Sequence, residues 1–473
     1  MKQKTNLGDV ISVLVLIGGV FLYRIIGSTL NRPLVFVCLV VCFFQAIRII
    51  KNIDRAWIRP VTLLVLSYLI VNCQVYIDLL LGIVSPTDII FVNPNTINKG
   101  VLLSAISFTA LSIGYTKTSF YKSHDKCYSV SISFYRIIQL LCVFFFFVWL
   151  FNLTRGEISG DAYTGSGAYN SSNRYYIEVL FQTSLILCLV CFSKRVNHVD
   201  SLVDFLRKLP IILLIISIGY IIIRLSSGDR GAAIYTVILY VFTYSFTSKK
   251  TLSIVIAIPF VIIAAIIITS IGLSRHSGSS LSMSEKITYA IDDESAFDVR
   301  RPSFSPFTSE LANSLSCTHV AIDDIENSQN TYHYGVFHVC YVIKFIPFLG
   351  TMLVNNILHI PTPYQSSGEY ITISRYGVFY ESGMGTTTIT DDYLEFGLLG
   401  VIIGFLLIGF CFKKVDSCLL FSNNLHIPTP MLIFVYVMCF GCFYIPRGVF
   451  FMYIRMWLYA FVLYLVLSFL NRT

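Results

Sequence analysis

Runs of about 17–25 mostly apolar residues recur along nearly the whole chain, each long enough to cross a bilayer core of about 30 Å. Backbone polar groups inside lipid must be satisfied within the segment, so such runs fold as helices. The composition agrees: 55% of the 473 residues are hydrophobic and 13% charged, with a mean hydropathy of +0.73. Soluble domains carry about 25% charged residues. The reading is an all-α, polytopic helical membrane protein, and no nucleic-acid partner is expected.

Twelve spans are predicted, near 8–26, 33–50, 60–82, 99–115, 134–152, 175–193, 209–223, 231–247, 252–272, 391–412, 428–445 and 449–470. This divides the chain into helices 1–9 (1–272), a large loop (273–390) and helices 10–12 (391–473). The opening "MKQKTNLGDVISVLVLIGGVFLY" resembles a signal sequence, but it lacks a small-residue cleavage site and reads as an uncleaved first helix. Most of the thirteen cysteines, Cys38, Cys42, Cys188 and Cys191 among them, lie inside apolar runs and act as small hydrophobes. Cys317 and Cys340 fall in the large loop, where pairing is the less expected outcome. His333 and His338 lack the partners of a zinc site, so no metal and no cofactor are expected.

Basic short loops set the orientation. "RIIKNIDRAWIRP", "KTSFYKSHDK", "SKRVNHVDSLVDFLRK", "TSKK" and "KK" alternate with lysine-poor connections, which places both termini in the cytoplasm. On this assignment twelve of fifteen lysines are cytoplasmic, but twelve of nineteen arginines lie at the outer face. Solubility alone does not require arginine. Its planar, permanently charged fork grips phosphate or carboxylate oxygens bidentately. An anionic ligand at the outer face explains the set better than pairing with the exterior carboxylates.

"RLSSGDRGAAIYTVILY" (224–240) concentrates this pattern. Gly228 permits a turn and Asp229 can cap the next helix. That helix presents its amino end outward, where free N–H groups suit an anion. Arg224 and Arg230 flank it.

The large loop is far longer than a connection requires. It holds the acidic clusters "IDDESAFDVRR" and "AIDDIENSQN", and "SPFTSELANSL" with Glu310. Residues 333–360 are apolar but broken by Lys344, Pro347 and Gly350, which reads as interfacial or re-entrant helices. Residues 361–390 are rich in Tyr, Ser, Thr and Gly, a composition that suits sugar or an ordinary surface loop. The loop ends in "TDDYLEFGLLGVIIG", with Asp391, Asp392 and Glu395 at the mouth of the tenth span. Capping explains the aspartates equally well; Glu395, a carboxylate within a membrane helix, reads as functional. Gly397, Gly400 and Gly404 form a small-residue face for helix packing.

Over roughly 210–450 the chain resembles the Wzy-type polymerases of bacterial surface polysaccharides. What matches is "SSGDRGA" opening the eighth span, the exterior loop with "SELANS", and "YLEFGLLG". The resemblance implies a glycosyltransferase of GT-C-like architecture in the bacterial inner membrane, with its active site facing the periplasm. It implies that a glycan on undecaprenyl pyrophosphate is transferred to the non-reducing end of a new lipid-linked repeat unit. Donor and acceptor are both lipid-linked, and a protein that regulates chain length is an implied partner. The family's arginine followed ten residues later by glycine is approached by Arg375 and Gly385, with one residue fewer between them.

The chemistry then selects residues. A leaving pyrophosphate is stabilised by positioned arginines without a metal, with Arg230 and Arg224 first, then Arg375. Arg447, Arg455, Arg275, Arg300, Arg301, Tyr376 and Tyr393 are expected to bind pyrophosphate or glycan. Asp391, Asp392, Glu395 or Glu310 is expected to take the acceptor's proton. Two alternatives stay open. O-antigen ligases share the layout, but they carry a functional histidine shortly before their "FGLLG"-like glycines, and here no histidine lies between His359 and His426. A flippase for the same lipid-linked sugars would show inverted repeats, which are not visible.

Overall fold

The computed structural model describes residues 7–52, 59–117, 130–153, 172–196, 199–227, 229–248, 302–305, 307–326, 328, 330–347, 349–378, 383–420 and 426–470. All regular structure among them is helical. The first nine helices are α1 (Leu7–Ile25), α2 (Arg32–Lys51), α3 (Pro60–Leu80), α4 (Ile97–Lys117), α5 (Ile132–Phe151), α6 (Ser172–Arg195), α7 (Leu202–Lys208), α8 (Ile211–Ser226) and α9 (Arg230–Ser248). Short helices follow: α10 (Ser309–Ala312), α11 (Leu315–Glu326), α12 (Val336–Ile343), α13 (Leu349–Met352) and α14 (Ser367–Tyr376). The chain closes with α15 (Thr388–Leu420), α16 (Thr429–Gly441) and α17 (Phe451–Leu470).

Nine of the described helices are long and apolar enough to cross a membrane. They match expected spans one to six, eight and twelve, and the tenth, 391–412, falls on α15, which breaks at Phe396 and Gly397. The seventh differs: α7 and α8 meet at 104°, so 209–223 starts from a sharp bend, with Pro210 at the break. The eleventh is shorter than expected, because α16 has only 13 residues before a 3₁₀ turn at Ile445–Arg447. The ninth, 252–272, lies outside the described residues.

Helix α4 sits at the centre and packs on α15 backbone to backbone. A Cβ on Gly114 would lie 2.2 Å from Leu406 O, and one on Gly409 would lie 2.2 Å from Leu111 O. Only glycine permits that approach from both sides, the way small residues let membrane helices close up. Large apolar side chains on α1, α2, α5 and α8, such as Phe21, Phe36, Phe147 and Ile218, point outward. Such a surface is at home in lipid, not water.

The two ends of the bundle carry different polar groups. At one end Asp9 on α1 binds Arg48 of α2 and Lys117 of α4, the latter at 2.7 Å. There too the Tyr115 hydroxyl donates to Asp416 of α15 at 2.8 Å. At the other end Asn98 ties α4 to the α1–α2 connection, donating to Gly27 O and Thr29 O. The helices α10–α14 gather at this second end. Within 333–360, α12 has eight residues and α13 four, followed by a π turn at Leu353–Ile357. The described part of that stretch is therefore broken, as Lys344, Pro347 and Gly350 suggest. Cys317 and Cys340 are free and buried.

Candidate active site

Every described candidate site residue lies at the second end. The α8–α9 turn comes first. Asp229 caps α9, its Oδ1 accepting from Gly231 N at 3.0 Å and Ala232 N at 3.4 Å. The cap fulfils one expectation and removes another, because the amino end that was to receive a ligand anion already holds a carboxylate. Arg224 is buried and paired with Glu178 of α6, with its guanidinium 5.3 Å from the Trp149 ring centre. The Tyr220 hydroxyl donates to the same glutamate at 2.5 Å. Arg224 is thus part of a closed core network. Gly228 lies outside the described residues.

Arg230 starts α9 and pairs with Glu310 of α10. The glutamate is held there by α3, whose Gln74 and Asp78 face inward at adjacent turns. Asp78 accepts from Ser303 Oγ at 2.8 Å and Phe304 N at 2.9 Å. Gln74 Oε1 accepts from Thr308 Oγ1 at 2.7 Å. Two polar residues four apart in an apolar span thus anchor "SELANS" beside Arg230. The Tyr444 ring packs on Tyr235 with centres 4.5 Å apart and lies against Gly231, next to Arg230. The Arg447 loop is fixed by Thr388, whose hydroxyl donates to Gly448 O at 2.9 Å and also to Ile445 O.

Helix α15 is two arms. Phe396 and Gly397 leave helical geometry, and Gly397 has φ +61°, a region glycine enters without strain. Residues 388–395 therefore fold back on 398–420. A Cβ on Gly400 would lie 2.4 Å from Asp392 O, and one on Gly404 2.1 Å from Asp392 Oδ2. The expected small-residue face serves this fold-back instead of a second helix. Glu395 is fully buried. It accepts from the backbone of His338 at 2.9 Å and from that of Gly335, capping α12 from outside its own sequence. Its carboxylate has a structural task, which accounts for its place in the apolar stretch.

Asp391, one turn before Glu395, faces a different group. The Tyr341 hydroxyl donates to its Oδ1 at 3.0 Å, and His338 Nε2 lies 3.4 Å from its Oδ2. Tyr341 also meets Ser367, accepting from its backbone N–H at 3.0 Å. The His338 ring stacks on Phe451 with centres 4.6 Å apart. Burial works against protonation of His338, but Asp391 and then Glu395 outweigh it, so its pKa is raised above 6.5. Asp392 completes the group, with a buried Oδ2 that has no hydrogen-bond partner among the described residues. One ligand atom from each of His338, Asp391 and Asp392 falls within 4.8 Å of the others, the trio of described residues that could hold a metal ion.

The remaining candidates scatter. Tyr393 is buried in the core, bonded to Tyr23 at 3.0 Å and to Glu326 at 3.2 Å. Its hydroxyl therefore ties α1, α11 and α15 together and faces no open site. Arg375 lies in the last turn of α14, where its charge complements the helix end, and Tyr376 beside it is exposed. Arg455 of α17 donates to the Tyr175 hydroxyl and lies 4.8 Å over its ring. Arg275, Arg300 and Arg301 lie outside the described residues. Sequence reasoning set His338 aside for want of ligand partners, which Asp391 and Asp392 supply in space, and passed over Tyr341, Gln74 and Asp78. Only the last two left a signal, as polar residues one turn apart within a span.

The chain matches the family model of the O-antigen polysaccharide polymerase Wzy over residues 9–473. That is nearly its whole length, and the chain belongs to this family. No curated protein and no solved structure matches it at a significant level.

Proposed function

We propose that the protein polymerises oligosaccharide repeat units carried on undecaprenyl pyrophosphate, at the periplasmic face of the bacterial inner membrane. The single observation that carries this reading is the meeting of cations and a proton acceptor at one end of the bundle. The Tyr444 ring lies on that of Tyr235, centres 4.5 Å apart, and against Gly231, the neighbour of Arg230, and the Arg447 loop that follows it is bonded to Thr388, one helical turn before Asp391.

In the proposed step the acceptor hydroxyl attacks the donor's anomeric carbon. A new glycosidic bond forms and the bond from that carbon to the pyrophosphate oxygen breaks. The proton passes to Asp391, which Tyr341 and His338 hold in place. The pyrophosphate leaves with both bonding electrons, and Arg230 and Arg447 take up the developing charge. Glu310 now occupies Arg230, so the incoming phosphate exchanges one anion for another. Arg224 supports the site through Glu178 and does not touch the substrate. The scheme keeps the metal-independent route, with no cofactor, and leaves a chain-length regulator as a partner to be found.

One observation favours a ligase as the second reading. No histidine lies shortly before the glycines of α15, none falling between His359 and His426, yet His338 reaches Asp391 from α12. That departure therefore no longer separates the two enzymes, and the family match supports the polymerase reading.

The test is to delete the protein in its own cell and separate the surface glycan on a gel. Single repeat units on the anchor are expected, restored to a ladder by the wild type but not by Arg230→Ala. Long chains accumulating on the lipid carrier would mean a ligase, and single units trapped in the cytoplasmic leaflet would mean a flippase.

A further inference from the structure

We propose that the outer face of the α12–α13 segment docks on the hydrocarbon of the membrane leaflet at this end of the bundle, so that phospholipid seats the helix that holds His338 and Tyr341 on Asp391. The seat rests on the geometry; the reaction it steadies is that of the polymerase reading.

The sequence from Val336 to Met352, "VFHVCYVIKFIPFLGTM", holds one Lys and no Arg, Asp or Glu. Its two sides differ. Phe337 and Cys340 are fully buried, and His338 and Tyr341 reach Asp391 at 3.4 and 3.0 Å. On the other side Val339, Val342, Ile346, Leu349 and Met352 are 47–56% exposed. Steps of three and four residues belong to one helical face, and the row runs on past Pro347 into α13. Lys344 turns its Nζ inward to Gln365 Oε1 at 3.0 Å. The outer row is therefore uncharged, and an exposed apolar row of this length marks an interaction surface.

Depth identifies the occupant. Tyr176, at the start of the α6 span, donates to Lys344 O at 3.0 Å. Phe451, the first residue of the α17 span, stacks on His338 with ring centres 4.6 Å apart. The segment thus lies across the beginnings of two spans, where hydrocarbon gives way to headgroups. Tyr175 beside Tyr176 is exposed, as aromatic residues at that boundary are. A short apolar helix lying there buries its outer face about 5–10 Å into the acyl boundary. A soluble partner reaches only the polar side of it.

The consequence for the site follows from adjacency. Val339 follows His338 and Val342 follows Tyr341, so a helix that lifts from the lipid carries both Asp391 contacts with it. Such contacts tolerate little displacement.

The experiment places p-benzoylphenylalanine at Val339 or Val342 of the full-length protein, irradiates it in the cell's own membrane and reads the adducts by mass spectrometry. A phospholipid adduct is expected from both positions. An adduct with a second copy, with another protein or with the isoprenoid carrier alone overturns the proposal, as does no adduct from the folded protein. In phosphatidylethanolamine–phosphatidylglycerol vesicles Val342→Asn should slow transfer about tenfold, because a polar side chain resists the acyl layer, and Val342→Leu should not. Their unfolding midpoints in detergent should agree, since the side chain lies outside the packed core. Equal rates for the two variants overturn the coupling to Asp391. Phospholipid adducts from a wild type that leaves repeat units single would overturn the polymerase reading and leave the seat standing.

Discussion

The α8–α9 turn and the meeting of α12 with α17 both present cations at the same end of the bundle, but they hold them differently. In the turn each charge has a fixed counter-charge: Arg224 has Glu178, Arg230 has Glu310, and the amino end of α9 has Asp229. At the second place Lys344 and Arg455 face a neutral amide and a phenol. A buried pair is costly to break and contributes rigidity. Lys344 and Arg455 carry no such fixed ion pair among the described residues. The difference is one of enclosure, with Arg230 between the two because its partner Glu310 is a third exposed (35%).

The largest effect should fall on the most enclosed pair. Arg224→Ala leaves Glu178 buried without its counter-charge, and a loss of about 3–5 kcal/mol in stability is expected. Arg455→Gln loses no ion pair and should stay within about 1 kcal/mol of the wild type. Thermal unfolding in detergent compares them, and equal losses would erase the distinction. Next comes Arg230→Ala, which should lower the transfer rate by about 10²–10³-fold while costing less stability than Arg224→Ala, because Glu310 is left partly in solvent. A rate assay paired with the same unfolding scan checks both halves.

Glu395→Ala sharpens the contrast within one helix. Loss of the cap on α12 should cost about 0.5–2 kcal/mol, and activity should fall only as far as the His338–Asp391 contact loosens. A smaller effect concerns pH. Because the folded protein raises the His338 pKa above 6.5, this contact's contribution to stability is complete below 6.5 and fades as pH rises through the raised value. In Asp391→Asn burial prevails and the midpoint should drop, which imidazole NMR can follow. An unmoved midpoint would show that Asp391 does not act on the ring. The smallest expected effect is none: chelating divalent ions should leave transfer unchanged, and a loss restored by a metal would assign the His338, Asp391 and Asp392 trio to an ion.

Much of the architecture was legible because lipid forces a regular pattern. Apolar runs became helices, Asp229 capped α9, and the interrupted stretch at 333–360 became short pieces. The bend before α8 and the shortness of α16 were less visible, since a run of apolar residues does not record where a helix breaks. The site was legible in its cations and not in its contacts. Glu395 reads as functional until its partners at Gly335 and His338 are seen, some sixty positions away. Tyr393 reads as a sugar contact until Tyr23 and Glu326 enclose it. His338 meets Asp391 only because the two arms of α15 fold on each other and present the aspartate to α12.

The most direct measurement reconstitutes the purified protein in liposomes with one lipid-linked repeat unit and follows the products by size. A ladder on the lipid carrier is predicted, with free undecaprenyl pyrophosphate released at each step. Asp391→Asn should slow it by about 10²–10⁴-fold. A protein that leaves the units single, or passes them only to a different acceptor, would contradict the account.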